Sequence, residues 1–140
     1  MRALLFACLA CAGLASAADP TAANRAAIFT AAGFNQVDGQ WKRCTDDTAP
    51  SYVAGSIDVQ DLNDDGEPEA WVRESSGFCY GAAGEYFVLL RNEGGKWRVL
   101  LESPGMALPL ETKHGGWRDL EVGGPGATAV YRWNGKAYAR

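Results

Sequence analysis

Histidine occurs once in this chain, at position 114, and cysteine only four times, twice within the first eleven residues. A lone histidine leaves little for general acid–base work, which needs a proton-transfer group held by positioned partners, and Lys113, Gly115 and Gly116 around it indicate a turn. Ser75, Ser76 and Ser103 lack the glycine-flanked elbow that exposes a nucleophilic serine. Seventeen glycines are present, yet no glycine-rich segment leads into a helical pattern, which argues against a phosphate cradle. Lysine and arginine are scattered rather than clustered, so the footprint of a nucleic-acid or anionic-membrane binder is missing. These shortages point away from catalysis and toward binding.

The one sustained apolar run, Ala3 to Leu14, follows Met1-Arg2 and precedes Ala15-Ser16-Ala17. That is the three-part pattern of a secretory signal, too short for a stable membrane anchor and inviting cleavage after Ala17. A lipidated Cys11 is the alternative, but Cys8 stands where a leucine is usual. The expectation is a signal peptide over residues 1–17 and a single β domain over 18–140, secreted or periplasmic, with no stable membrane insertion. Losing Arg2 leaves 12 basic against 17 acidic residues, a net charge of −5. In an oxidising compartment the two remaining cysteines, Cys44 and Cys79, are expected to pair.

The acidic excess is concentrated. Asp58, Asp61, Asp64, Asp65, Glu67 and Glu69 fall within twelve residues that contain no Lys or Arg. Within them, Asp61, Asn63 and Asp65 occupy positions 1, 3 and 5 of an oxygen-donor loop, and Gly66 at position 6 permits the sharp turn. Glu67 can offer its backbone carbonyl, and Glu69 is the natural closing carboxylate. This donor set suits a hard divalent cation, calcium by its chemistry. An EF-hand would place a closing Glu at position 12, where this chain has Val72. The competing reading is a solvated turn, since Asp, Asn and Gly favour turns without any metal. Against it stands the repulsion among uncompensated carboxylates.

Around the loop the chain reads as β structure. Runs at 52–59, 70–73, 85–91, 96–102, 118–122, 128–133 and 136–139 are β-prone, with Asn92-Glu93-Gly94-Gly95 and Asn134-Gly135 as hairpin turns. One short helix is expected before them, capped by Asp19-Pro20, running through Ile28 and Phe29 and stopped at Gly33. From Val37 to Pro50 the pattern is polar and turn-rich, anchored by Trp41. The expected fold is mainly β: an antiparallel meander of about seven or eight strands, either two blade-like sheets or a small sandwich or open barrel.

The pattern D-x-N-x-D-G-x-x-E between two strands resembles the calcium loop of FG-GAP/VCBS repeats, the blades of integrin-like β-propellers. DLNDDGEPEAWV, FCYGAAGEYFVLL, GGWRDLEVGGPG and YRWNGKAYA together resemble small secreted bacterial proteins that carry one such loop. The resemblance implies a β fold and a bound Ca2+ rather than an activity. A faint internal repeat agrees with two blades, the second carrying His114-Gly115-Gly116-Trp117 in place of the acidic loop. Two blades cannot close a propeller ring.

The five tryptophans, Trp41, Trp71, Trp97, Trp117 and Trp133, are expected to fill the core more than to bind ligands. Tyr80, Trp117 and Gly124 are the candidates for recognition, on the 78–81 turn, at the position replacing the acidic loop, and on the 123–126 turn. The functional expectation is a non-catalytic, calcium-binding interaction module for an envelope or extracellular protein. The alternatives are an inhibitor or immunity-type protein acting on an envelope enzyme, and a module that contacts glycans. A hydrolase stands behind these.

Overall fold

A computed structural model describes residues 22–140 of the chain. The expected signal segment 1–17 and the expected cap Asp19-Pro20 lie outside the described residues. The alanine-rich run forms α1 (Ala22–Ala31). It ends in a Schellman arrangement: Gly33 N–H donates to the Thr30 carbonyl and Phe34 N–H to that of Phe29, with Gly33 at φ 81°. A short hairpin follows, β1 (Asn35–Val37) and β2 (Gln40–Lys42), turned by Asp38-Gly39, both at positive φ. Trp41 on β2 stacks on Phe29 with ring centroids 4.9 Å apart. The segment expected to be polar and turn-rich therefore contains a hairpin, whose Asp38-Gly39 turn is flanked by strands too short and polar to show a period.

The body consists of two antiparallel four-stranded meanders. The first is ordered β3 (Val53–Gln60), β4 (Glu69–Ser75), β5 (Glu85–Glu93) and β6 (Lys96–Pro104), with a short helix α2 (Gly77–Tyr80) and a 3-10 turn between β4 and β5. The second runs β7 (Met106–His114), β8 (Trp117–Gly124), β9 (Ala127–Trp133) and β10 (Tyr138–Ala139). Two four-stranded sheets packed on each other are thus the architecture, with the eight meander strands that were expected; the β1–β2 hairpin is a third, separate sheet and brings the strands among the described residues to ten.

Both faces of the first sheet are covered, which explains the unbroken apolar run Tyr86 to Leu90 on β5. Val72, Tyr86, Val88 and Leu90 pack with Ile28 and Phe29 of α1. Trp71, Phe87 and Leu89 turn the other way and meet Ala107, Leu120 and Val122 of the second sheet. Trp71 is buried there with its indole N–H unpaired among the described residues. On β3, a side chain at Gly55 would come within 2.8 Å of the Phe29 ring, so glycine is what lets this strand approach the end of α1.

Strand β7 went unread in the sequence because Pro109 breaks its β pattern. The structure resolves this as an edge strand with an irregular register between Pro109 and Lys113, where proline is tolerated. The Arg118 guanidinium donates to the carbonyl of Leu110 at 2.7 Å, satisfying an acceptor that the ladder leaves over. Between the sheets there is a single residue, Gly105, at φ 101°; its N–H donates to Glu85 O, and a side chain there would strike Gly123 O at 2.4 Å.

Cys44 and Cys79 form a disulfide across a sequence separation of 35, with Cα atoms 6.0 Å apart. Among the described residues no helix is long and apolar enough to cross a membrane. By chain entropy the bridge stabilises the domain by about 4 kcal/mol. Denaturant unfolding with and without reductant is expected to show a loss of that size; a loss under about 1 kcal/mol would mean that the reduced state keeps the same restraint through its other contacts.

Candidate metal centre

The β3–β4 connection is built around Leu62, an apolar residue in an otherwise acidic loop. Its side chain is fully buried in the core between the sheets. Burial of a leucine contributes about 1.5–3 kcal/mol, enough to fix the loop's position by itself. Both backbone groups of Leu62 are also held. Its N–H donates to Glu69 Oε2 at 2.8 Å, and its carbonyl accepts the Arg118 N–H of β8 at 2.9 Å. The loop therefore spans the two sheets.

The predicted donors arrange themselves as successive Asx turns. Asp61 accepts from Asn63 N–H at 3.2 Å and from Gly66 N–H at 2.8 Å. Asn63 Oδ1 accepts from Asp65 N–H at 3.2 Å, and Asp65 Oδ1 from Glu67 N–H at 2.8 Å. Asp64 and Gly66 take positive φ, at 59° and 82°, which curls the backbone around the side-chain oxygens. Burial opposes the ionised form of Asp61, but the N–H donors of Gly66 and Asn63 outweigh it and hold the carboxyl below its usual range.

Among the described residues, no three His, Cys, Asp or Glu side chains converge closely enough to hold a metal ion. The loop oxygens face their own backbone instead, and Arg91 lies 3.5 Å from Asp65 while Lys113 pairs with Asp64. The chemistry of the donors still fits a hard cation. A carboxylate oxygen that accepts one N–H retains lone-pair capacity, and Asn63 adds a neutral oxygen. Glu69 is the telling group: it is 1 % exposed and makes no ion pair among the described residues. Burial, helped by the negative charges of Asp65 and Asp61 and opposed by the Leu62 N–H, pushes its carboxyl up to about 7.

The recognition candidates do not form one surface. Trp117 is 5 % exposed, stacked on Trp133 at 4.2 Å with Arg91 over its ring, so it belongs to the core and cannot present a binding face. Tyr80 is half-buried, stacked on Tyr86, with its hydroxyl donating to Glu74. Gly124 lies against Ala83, so the 78–83 and 123–126 turns do meet, beside a groove of about 370 Å³ that Met106, Leu108 and Pro125 help to line.

Two polar nodes escaped the sequence reading. Glu74, 1 % exposed, accepts from the backbone N–H groups of Arg43 and Cys44 and from the hydroxyls of Tyr52 and Tyr80. Its signal was a carboxylate on the same strand face as Ala70 and Val72, where an apolar residue is expected. Asp119, also 1 % exposed, accepts from Thr112 at 2.7 Å and lies 2.8 Å from His114 Nδ1. His114 is thus the exposed last residue of β7, at the entry to the Gly115-Gly116 turn, with a buried carboxylate behind it.

Glu69 generates a pH test. Its folded-state carboxyl titrates near 7 against 4.5 for an ordinary glutamate. The folded state holds the extra proton between those values, so stability falls as pH rises through that window. In chelator, Glu69→Gln should be close to neutral at acidic pH and more stable than wild type above neutrality, by on the order of 3 kcal/mol. Equal melting temperatures for both proteins from acid to alkaline pH would show that Glu69 carries no such penalty. Compared with protein-family models, with curated proteins and with solved structures, the chain matches none.

Proposed function

We propose that this is a secreted or periplasmic, non-catalytic binding domain whose Asp61–Glu69 loop takes calcium, and whose folded surface is held in shape by that ion. The observation that carries the reading is Glu69: a carboxylate buried between two sheets, beside Asp61 and Asp65, with no cationic partner among the described residues. A divalent cation held by Asp61, Asn63, Asp65, the Glu67 carbonyl and Glu69 would supply the missing charge. It would act on structure rather than on a reaction, by neutralising the loop and fixing Leu62 between the sheets. The disulfide Cys44–Cys79 is in keeping with an oxidising compartment.

The interaction role draws support from how the polar clusters are used. The oxygens of Glu74, Asp119 and Asp61 accept bonds that hold backbone and neighbouring hydroxyls in place. An envelope or extracellular protein is the partner class put forward, with glycan as the second; the resemblance to the single-loop secreted proteins is compatible with either. Asp61 and Asp65 carry the ion in this reading, Arg91 and Lys113 only its surroundings.

Calorimetric titration of calcium into the chain from residue 18 is expected to give one site. Asp61→Ala and Asp65→Ala should each abolish it. At a hundredfold excess of calcium over its dissociation constant, the wild type should gain about 2.7 kcal/mol of stability. Absence of heat and of any melting-temperature shift at millimolar calcium would reduce the loop to an acidic turn neutralised by Arg91 and Lys113.

A further inference from the structure

A cleft of about 450 Å³ opens between α1, the Gly66–Pro68 end of the loop and the β5–β6 turn. Its volume falls in the range of small-molecule sites. Ile28, Val59 and Pro68 give it an apolar part, and Trp97 adds a half-buried indole. That indole is pinned, because its N–H donates to Asn24 Oδ1 at 3.0 Å. Asn92 is pinned as well: its Oδ1 accepts the Gly95 N–H at 2.9 Å, which orients its amide NH2 as a donor. The Glu67 carboxylate is exposed at the rim.

The lining decides what can enter. Among the described residues no Lys, Arg or His lines the cleft, and Glu67 stands at its edge with the acidic loop behind it, a setting that disfavours phosphate, sulfate and carboxylate ligands. The Asn92 amide and the exposed Glu67 carboxylate would lose hydration to a purely apolar ligand without receiving hydrogen bonds in return. A quaternary ammonium ligand calls for a cage of several aromatic rings, and here there is one. What remains is an uncharged ligand with one apolar face and a rim of hydroxyls.

We infer that this cleft binds a neutral saccharide, with Trp97 contacting the apolar face of a sugar ring and Asn92 and Glu67 taking its hydroxyls. The sugar unit is placed at the loop's outer wall, so Gly66 to Pro68 serve both the cleft and the ion-binding loop. One part rests on the calcium reading: if the ion fixes this wall, calcium and saccharide raise each other's affinity by the same factor.

The test is ligand-observed NMR and calorimetry on the secreted protein, with glucose, galactose, mannose and N-acetylglucosamine and their disaccharides as probes, and choline and inorganic phosphate as controls. Binding of at least one neutral sugar, and of neither control, is expected. Trp97→Ala should abolish it. Because Trp97 also packs against the α1 core, Asn92→Asp provides the second variant. It keeps the acceptor for Gly95 N–H, loses the amide donor, and should weaken binding by about tenfold while the fold is unchanged. No sugar signal at millimolar concentration, binding of choline instead, or sugar binding untouched by both variants would overturn the assignment. Sugar affinity that is identical in calcium and in chelator would uphold the cleft and overturn the coupling alone. Calcium binding without any sugar signal would overturn the cleft assignment, and the coupling with it, while leaving the calcium reading standing.

Discussion

Glu69 lies on the face of β4 that also carries Trp71, so its carboxylate sits where the two sheets close on each other, bonded to the backbone of Leu62. A charged group in that position is costly unless something offsets it. Much of the surrounding arrangement reads as a response to that constraint. The loop folds back through Leu62, β8 donates Arg118 N–H to the same residue, and Arg91 and Lys113 approach the outer carboxylates. Exposed ion pairs of that kind contribute little each, roughly 0–1 kcal/mol. Leu62 packing and the two backbone bonds carry more of the load.

The parts of the fold that were legible share a physical cause, which is that their side chains alternate or run on in a way only burial explains. The β5 run Tyr86 to Leu90 and the turn at Asn92 to Gly95 specify a central strand and its hairpin without help from the rest of the chain. Strand β7 was illegible because its sequence is shaped by being an edge: Pro109 and the irregular register are features of a strand paired on one side only. The β1–β2 hairpin was illegible because it is three residues a side with none of them buried, so no periodicity accumulates. For the candidate site, spacing singled out the Asp61–Glu69 loop, yet it gave no means of seeing that Leu62 is a buried anchor, or that Trp117 is turned inward by stacking on Trp133. Contacts across sheets come from residues far apart in sequence, and spacing alone does not encode them.

Glu74 does for the first sheet's edge what Glu69 does for the seam. It collects donors from the segment after β2, from Tyr52 ahead of β3 and from Tyr80 on α2, next to the disulfide that joins two of those segments. A buried carboxylate supplied with this many donors keeps its place through hydrogen bonds rather than through an opposing charge. Asp119 in the second sheet also takes donors, from Thr112 and His114, with the Arg132 charge as a smaller contribution. The contrast with Glu69 is informative, since that residue alone among the three has few donors and sits beside like charges.

Every strand of the two meanders pairs with its neighbour in sequence, and one residue, Gly105, separates the meanders. The fold therefore closes through local turns, an order that favours rapid formation. A chain synthesised N-terminus first has all the partners for its first meander before β7 appears. Until the second arrives, Trp71, Phe87 and Leu89 have nothing to cover them. The half-made protein is thus the form most prone to self-association, and the brevity of the Gly105 junction shortens the time it spends exposed.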